Sequence, residues 1–136
     1  MAQKIAFVFP GQGSQSVGML GELADMYPLV TETFEEASDA LGFDLWKLVS
    51  EGPESALNQT HNTQPALLAA GFSVWRVWQQ QGPATPVIMA GHSLGEYSAL
   101  VSAGAIGFAD GVRLVAERGR LMQEAVPEGT GAMAAI

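Results

Sequence analysis

Residues 86–100 read PVIMAGHSLGEYSAL, a short apolar run followed by a serine set between two glycines. Pro86 to Ala90 suits a strand and Gly95 to Ala103 a helix, with Ser93 at the bend between them. A nucleophile elbow needs a strand entering, a strained residue at the turn and a helix leaving. Gly91 and Gly95 remove side chains that would strike the neighbouring strand or helix. Ser93 Oγ would then project at the carboxyl end of the strand, where ligands bind in α/β sheets. The helix aims its N-terminus at the same point, so the Leu94 N–H can meet a developing oxyanion. The same residues also admit a plainer reading, in which Ser93 only caps the helix. With 16 glycines and nine serines in 136 residues, G-x-S-x-G alone is weak, and the flanking strand and helix give it weight.

The rest of the chain supplies the setting. Lys4 to Phe9 (KIAFVF) reads as a buried parallel strand feeding the loop PGQGSQ. That loop exposes backbone N–H groups, Gln12 or Gly13 closest, as a candidate second oxyanion donor. It is neither a Rossmann fingerprint, since Ser16 stands at the third glycine position, nor a lysine-bearing Walker loop. Pro28 opens a helix carrying Leu29, Phe34, Ala37 and Leu41 and ended by Gly42, and Asp44 caps a short helix with Leu45, Leu48 and Val49. Pro53 opens another short turn. Thr63 is the expected N-cap of a long helix, Gln64 to Gln81, with Leu67, Leu68, Val74, Trp75 and Trp78 as its apolar stripe. The tryptophans read as core rather than as a ligand platform. Phe108 to Val126 forms a last helix, stopped by Pro127. Strands alternating with helices argue an α/β fold with parallel strands and helices covering the sheet. Residues 129–136 look like a turn and a strand that stops while still apolar. Two strands are few for so many apolar helix faces, so the chain is expected to be the N-terminal part of something longer.

Composition narrows the chemistry. A chain 48% hydrophobic and 15% charged is globular. Zero cysteines exclude a thiolate nucleophile and Cys-ligated metals, and two histidines argue against a His-rich metal site. Fourteen acidic against six basic residues give a formal charge of −8, which opposes non-specific attraction to nucleic acid or anionic membrane. The apolar run Ile5 to Phe9 is too short for a secretory signal or a membrane span, which makes the cytoplasm the default.

A nucleophilic serine needs a base. His92, adjacent to Ser93 on a sharp turn, reads as packing or turn support, and His61 as a surface-loop residue. Lys4 and Lys47 are the only lysines, so no base is found in this stretch. The helix over 108–126 holds a different clue. At about 100° per residue, Arg113, Glu117, Arg120 and Glu124 form a solvated stripe, and Leu114, Val115, Leu121, Met122 and Ala125 the opposite face. Arg118 falls inside that apolar arc, where a guanidinium must snorkel out, pair with a buried carboxylate or await an anionic ligand.

GHSLGEYSAL, FVFPGQGSQ, QTHNTQPALL and the ERG at 117–119, in this order and spacing, make the whole chain resemble the malonyl-CoA:acyl carrier protein transacylase family of bacterial type II fatty acid synthesis. The resemblance implies Ser93 as the acylated nucleophile and the Gln12 and Leu94 amides as the oxyanion hole. Arg118 would hold the malonyl carboxylate, and Gln64 and His92 would line the site. It implies no bound cofactor or metal, malonyl-CoA as substrate, a coenzyme A thioester and acyl carrier protein as partners, and a ping-pong reaction. It further implies an α/β-hydrolase-like large subdomain, of which residues 1–127 would be the N-terminal part. Residues 128–136 would open a small ferredoxin-like subdomain. The family's catalytic histidine would come from the C-terminal remainder of the same enzyme, as would the basic surface that meets acidic CoA and carrier protein. A serine hydrolase or thioesterase on the same elbow is the alternative chemistry, and an inactive fragment the non-enzymatic one.

Overall fold

The computed structural model describes residues 3–82, 84–132, 134 and 136. The run expected as the first strand forms β1 (Ala6–Phe9), and the short α1 (Gly21–Met26) follows the glycine loop. α2 (Leu29–Leu41) starts after Pro28 and stops at Gly42 in the left-handed region. It buries Val30, Thr33, Phe34 and Ala37, the spacing of one helix face. Asp44 caps α3 (Leu45–Glu51) by accepting a 2.9 Å hydrogen bond from the Lys47 N–H. One turn, α4 (Glu54–Leu57), leads into the long α5 (Thr60–Gln81). Then come β2 (Ile88–Gly91), α6 (Leu94–Ser102) and α7 (Phe108–Ala125).

Two details of α5 differ from expectation. The helix starts at Thr60, so Thr63 is not its cap; the Thr63 hydroxyl instead donates to the Leu57 carbonyl and ties α4 to α5. Pro65 lies inside the helix, in its second turn, and leaves the His61 carbonyl without its usual donor. Val74 is exposed rather than part of the apolar stripe, because the buried side of α5 runs through Leu67, Leu68, Trp75 and Val77.

β1 and β2 pair in parallel, with Ala6 opposite Ile88 and Phe9 opposite Gly91. Phe7 sets its ring edge-on to Trp75 and Trp78, each 5.2 Å away; Trp75 is buried there, as expected, whereas Trp78 is only half-buried. The expectation of a sheet covered by helices holds for this face only. Val8 is 75% and Ile88 59% exposed, since side chains alternate across a strand and, among the described residues, nothing packs on the second face. The core lies among the helices, where Phe34, Leu45, Leu57, Leu68, Val112 and Val115 are fully buried. Arg76 clamps three of them. It pairs with Glu36 of α2 at 2.7 Å, and its guanidinium lies 4.5 Å from the Phe72 ring centroid on α5 and 5.5 Å from that of Phe108 on α7.

Past α7, Thr130 N–H closes a turn on the Pro127 carbonyl. Residues 131, 132, 134 and 136 belong to no strand, and Met133 and Ala135, within the strand expected at the terminus, lie outside the described residues. Among the described residues no helix is long and apolar enough to cross a membrane.

Leu68 sits at the centre of this packing. Leu68→Ala is expected to lower the unfolding free energy by about 3 kcal/mol in urea titration, through lost burial and the cavity left behind.

Candidate active site

The bend between β2 and α6 has the geometry its residues require. Ser93 adopts φ 54° and ψ −111°, a strained conformation for a residue with a side chain. A Cβ on Gly91 would lie 1.9 Å from the Gly95 carbonyl oxygen, and one on Gly95 would lie 2.2 Å from the Phe9 carbonyl oxygen. Both positions therefore exclude any side chain, because the helix start is pressed against the end of β1. His92 N–H donates to the Phe9 carbonyl at 3.1 Å, and Gly95 N–H donates to the His92 carbonyl at 2.9 Å.

Ser93 occupies the N-cap position, yet its side chain makes no capping hydrogen bond. Its exposed Oγ instead accepts a 3.1 Å bond from Arg118 Nη2 of α7. Arg118 Nη1 donates to Gln64 Oε1 at 2.9 Å, and Gln64, fully buried on α5, donates through Nε2 to Met122 Sδ at 3.1 Å. The guanidinium carbon lies 5.3 Å from the Tyr97 ring centroid. The structure thus brings Ser93, Arg118 and Gln64 into one bonded chain. Of the three fates open to Arg118, pairing with a carboxylate does not occur among the described residues, whereas Arg76, Arg113 and Arg120 all have acid partners.

The apolar arc expected around Arg118 is corrected by α7's actual packing. Its buried residues are Phe108, Gly111, Val112, Val115 and Gly119, while Leu114, Leu121 and Met122 are exposed. Gly119 sets the rotation: a Cβ there would stand 2.7 Å from His61 Cα, so α7 touches the α5 backbone directly. Arg118 is left half-buried at the border, on an open face of α7 that it shares with Leu114, Glu117, Leu121, Met122 and Ala125. Sequence reasoning missed Gly119 as a packing residue, although a glycine within a helix is itself a signal of close approach. Tyr97 and Met122 carried no signal of contact with the site.

The outer stripe of α7 forms as expected, with one exchange of partner: Arg113 pairs with Asp110 at 3.0 Å instead of Glu117. Arg120 bridges Glu117 and Glu124. The hydrogen bond from Arg120 holds the Glu117 carboxyl below the usual carboxylate range, and the bonds to Glu117 and Glu124 raise Arg120 in turn.

The expected partners of the serine divide. His92 is exposed and supports the turn, its Nδ1 and carbonyl packed against Gly11 of the glycine loop. His61 lies in the first turn of α5 and not in a loop, because the helix begins earlier than expected. Among the described residues no imidazole, lysine or carboxylate hydrogen-bonds Ser93 Oγ. Likewise no group of acidic residues and histidines among them is arranged to hold a metal ion.

Residues 6–136 match the acyl transferase domain. The chain belongs to this family. Relatives of this acyl transferase domain include the malonyl CoA-acyl carrier protein transacylases of Salmonella typhimurium, 69% identical over 133 residues, and Bacillus subtilis (strain 168), 52% identical over 133 residues. Each match covers 98% of this chain but only 43% and 42% of the relative, so the chain spans less than half the length of these curated relatives. Among solved structures, a type II PKS acyl-carrier protein in complex with its malonyl-transacylase gives 64% identity and a TM-score of 0.91, covering 93% of this chain and 41% of that one. An acyl carrier protein S-malonyltransferase from Vibrio cholerae gives 62% identity and a TM-score of 0.91, covering 94% and 42%.

Two measurements probe the site's frame. Gly91→Ala is expected to cost about 3 kcal/mol or more of unfolding free energy, since a methyl group there meets backbone with no room to shift. Arg120→Ala should move the Glu117 titration midpoint upward in carboxyl-detected NMR by removing the bond that favours the ionised form.

Proposed function

We propose that this site carries malonyl transfer from malonyl-CoA to the phosphopantetheine thiol of acyl carrier protein. The observation that carries the reading is Arg118, whose two amino groups reach Gln64 and Ser93 Oγ at 2.9 and 3.1 Å with no acid partner among the described residues. A cation poised one hydrogen bond from a nucleophile suits an acyl group that ends in a carboxylate. One methylene separates the two carbonyl carbons of malonate, so an acyl group seated at Ser93 presents its free carboxylate to the same guanidinium, which can grip it bidentately. The incoming carboxylate would draw Nη2 away from Ser93 and free the oxygen lone pair it occupies.

The reaction then runs in two balanced halves. Ser93 Oγ attacks the thioester carbonyl carbon while its proton passes to a general base, and the carbonyl oxygen becomes an oxyanion held by the Gln12 and Leu94 amides. The C–S bond breaks, and the coenzyme A thiolate leaves and takes up the proton. The carrier protein's thiol, deprotonated by the same base, attacks the malonyl-serine carbonyl carbon; the new C–S bond forms, the ester C–O bond breaks, and the base returns the proton to Ser93 Oγ. No base on Ser93 is found among the described residues, so we assign it to sequence outside these 136 residues, the C-terminal remainder of the same enzyme. The relatives, more than twice as long as the matched stretch, leave room for such a segment. The same reading takes residues 1–127 as the N-terminal part of an α/β-hydrolase-like large subdomain, residues 128–136 as the start of a ferredoxin-like one, and the cytoplasm as the setting.

Intact-mass analysis of the complete protein after mixing with malonyl-CoA tests the assignment. One malonyl group should remain on Ser93 until a pantetheine thiol discharges it, and Ser93→Ala should take up none. Prompt release of free malonate would instead mark a hydrolase. Arg118→Ala should lower malonyl transfer about 100-fold and acetyl transfer about threefold or less, because only the diacid loses a charged partner. Equal losses for both acyl groups would remove Arg118 from the carboxylate role.

A further inference from the structure

The glycine loop after β1 offers two amides as the second oxyanion donor, those of Gln12 and Gly13, and the surrounding side chains separate them. Gly13 N–H donates to Gln15 Oε1 at 2.8 Å and is thereby engaged. The other end of the same side chain, Gln15 Nε2, donates at 2.8 Å to Asn58 Oδ1. Asn58 ends α4, where its own N–H bonds the Glu54 carbonyl at 2.9 Å. One carboxamide thus spans from the loop to the corner between α4 and α5. The Gln12 side chain is tied down beside it, its Nε2 donating to Thr60 Oγ1 at 3.2 Å on the first residue of α5. Ser14 Oγ closes the turn on the Gly11 carbonyl at 2.8 Å. Gly11 in turn abuts the elbow, since a Cβ on it would stand 2.7 Å from the His92 carbonyl oxygen. Among the described residues the Gln12 main-chain N–H has no acceptor.

We propose that Gln15 is a positioning residue for acyl transfer, taking up the Gly13 amide and bridging to Asn58 so that the loop holds the Gln12 amide as the free donor facing the acyl oxygen. This rests on the acyl-transfer reading of Ser93. A preorganised donor needs no reorientation as charge develops on the oxygen, whereas a donor on a loosened loop must be ordered in the transition state. The cost of losing Gln15 therefore falls on the chemical step and not on substrate binding, because the reading assigns the substrate carboxylate to Arg118, which Gln15 does not touch.

Single-turnover acylation of the complete protein by malonyl-CoA, followed by rapid quench and intact mass, tests this. Gln15→Leu and Asn58→Leu should each slow acylation at saturation about tenfold, well short of the 10²–10³ cost of deleting an oxyanion donor, with half-saturating malonyl-CoA within about twofold of wild type. The double variant should be no slower than the worse single, since both break one bridge. Asn58→Asp still accepts from Gln15 Nε2 and should acylate at the wild-type rate. An unaltered rate in Gln15→Leu, additive losses in the double variant, or a change confined to half-saturation would each overturn the proposal. Should Gln15→Leu fail to fold, Asn58→Leu at an exposed position decides by the same criteria. A wild-type protein that takes up no malonyl group overturns the acyl-transfer reading itself, an outcome distinct from an acylated wild type matched by its Gln15 variant.

Discussion

The contact on which the site depends is made of missing atoms. α6 begins so near the end of β1 that the Phe9 carbonyl oxygen occupies the place where a side chain on Gly95 would start, and the Gly95 carbonyl does the same to Gly91. With that approach Ser93 takes a strained positive-φ conformation, and its hydroxyl makes no capping bond to the helix N-terminus. The two loops at the carboxyl ends of the strands then share a wall, because Phe9 accepts from His92 and Gly11 lies against the His92 carbonyl. The two loops are fixed relative to each other for this reason.

A second dependency runs through buried polar groups. Gln64 is fully buried, and an unsatisfied carboxamide there would cost about 1–3 kcal/mol. Arg118 and Met122 meet it at its two ends, so the amide that needs a partner and the cation that needs an acceptor satisfy each other. A guanidinium held this way has lost freedom before any ligand arrives, which lowers the entropy left to lose on binding. Tyr97, one turn along α6 from Ser93, adds its ring face to the same cation.

What could be read from the chain follows from how local each signal is. The elbow was legible because strand, bend, helix and both glycines fall within fifteen residues; helical periodicity singled out Arg118, although most of the arc that marked it is exposed. Thr63 misled the placement of α5's start, since threonine commonly caps a helix, and here the chain was already helical at Thr60. The exposure of Val8, Leu121 and Met122 was not legible, for residue type gives hydrophobicity but not which neighbours arrive to cover it. Nor were the bonds from Arg118 to Gln64, 54 residues away, or from Gln15 to Asn58, 43 away, which no pattern within one sequence encodes.

The half-covered sheet bears on the colloidal behaviour of the 136-residue stretch. β1 and β2 offer each other one edge, and among the described residues no further strand pairs with their outer edges and the Val8–Ile88 face is exposed. The formal charge of −8 opposes the approach of two such surfaces as a long-range repulsion. Added salt shortens that repulsion to about 10 Å at 0.1 M and about 3 Å at 1 M, while the attraction between apolar strands is unscreened. Raising the ionic strength therefore weakens the force that opposes association, and dilute buffer favours dispersion.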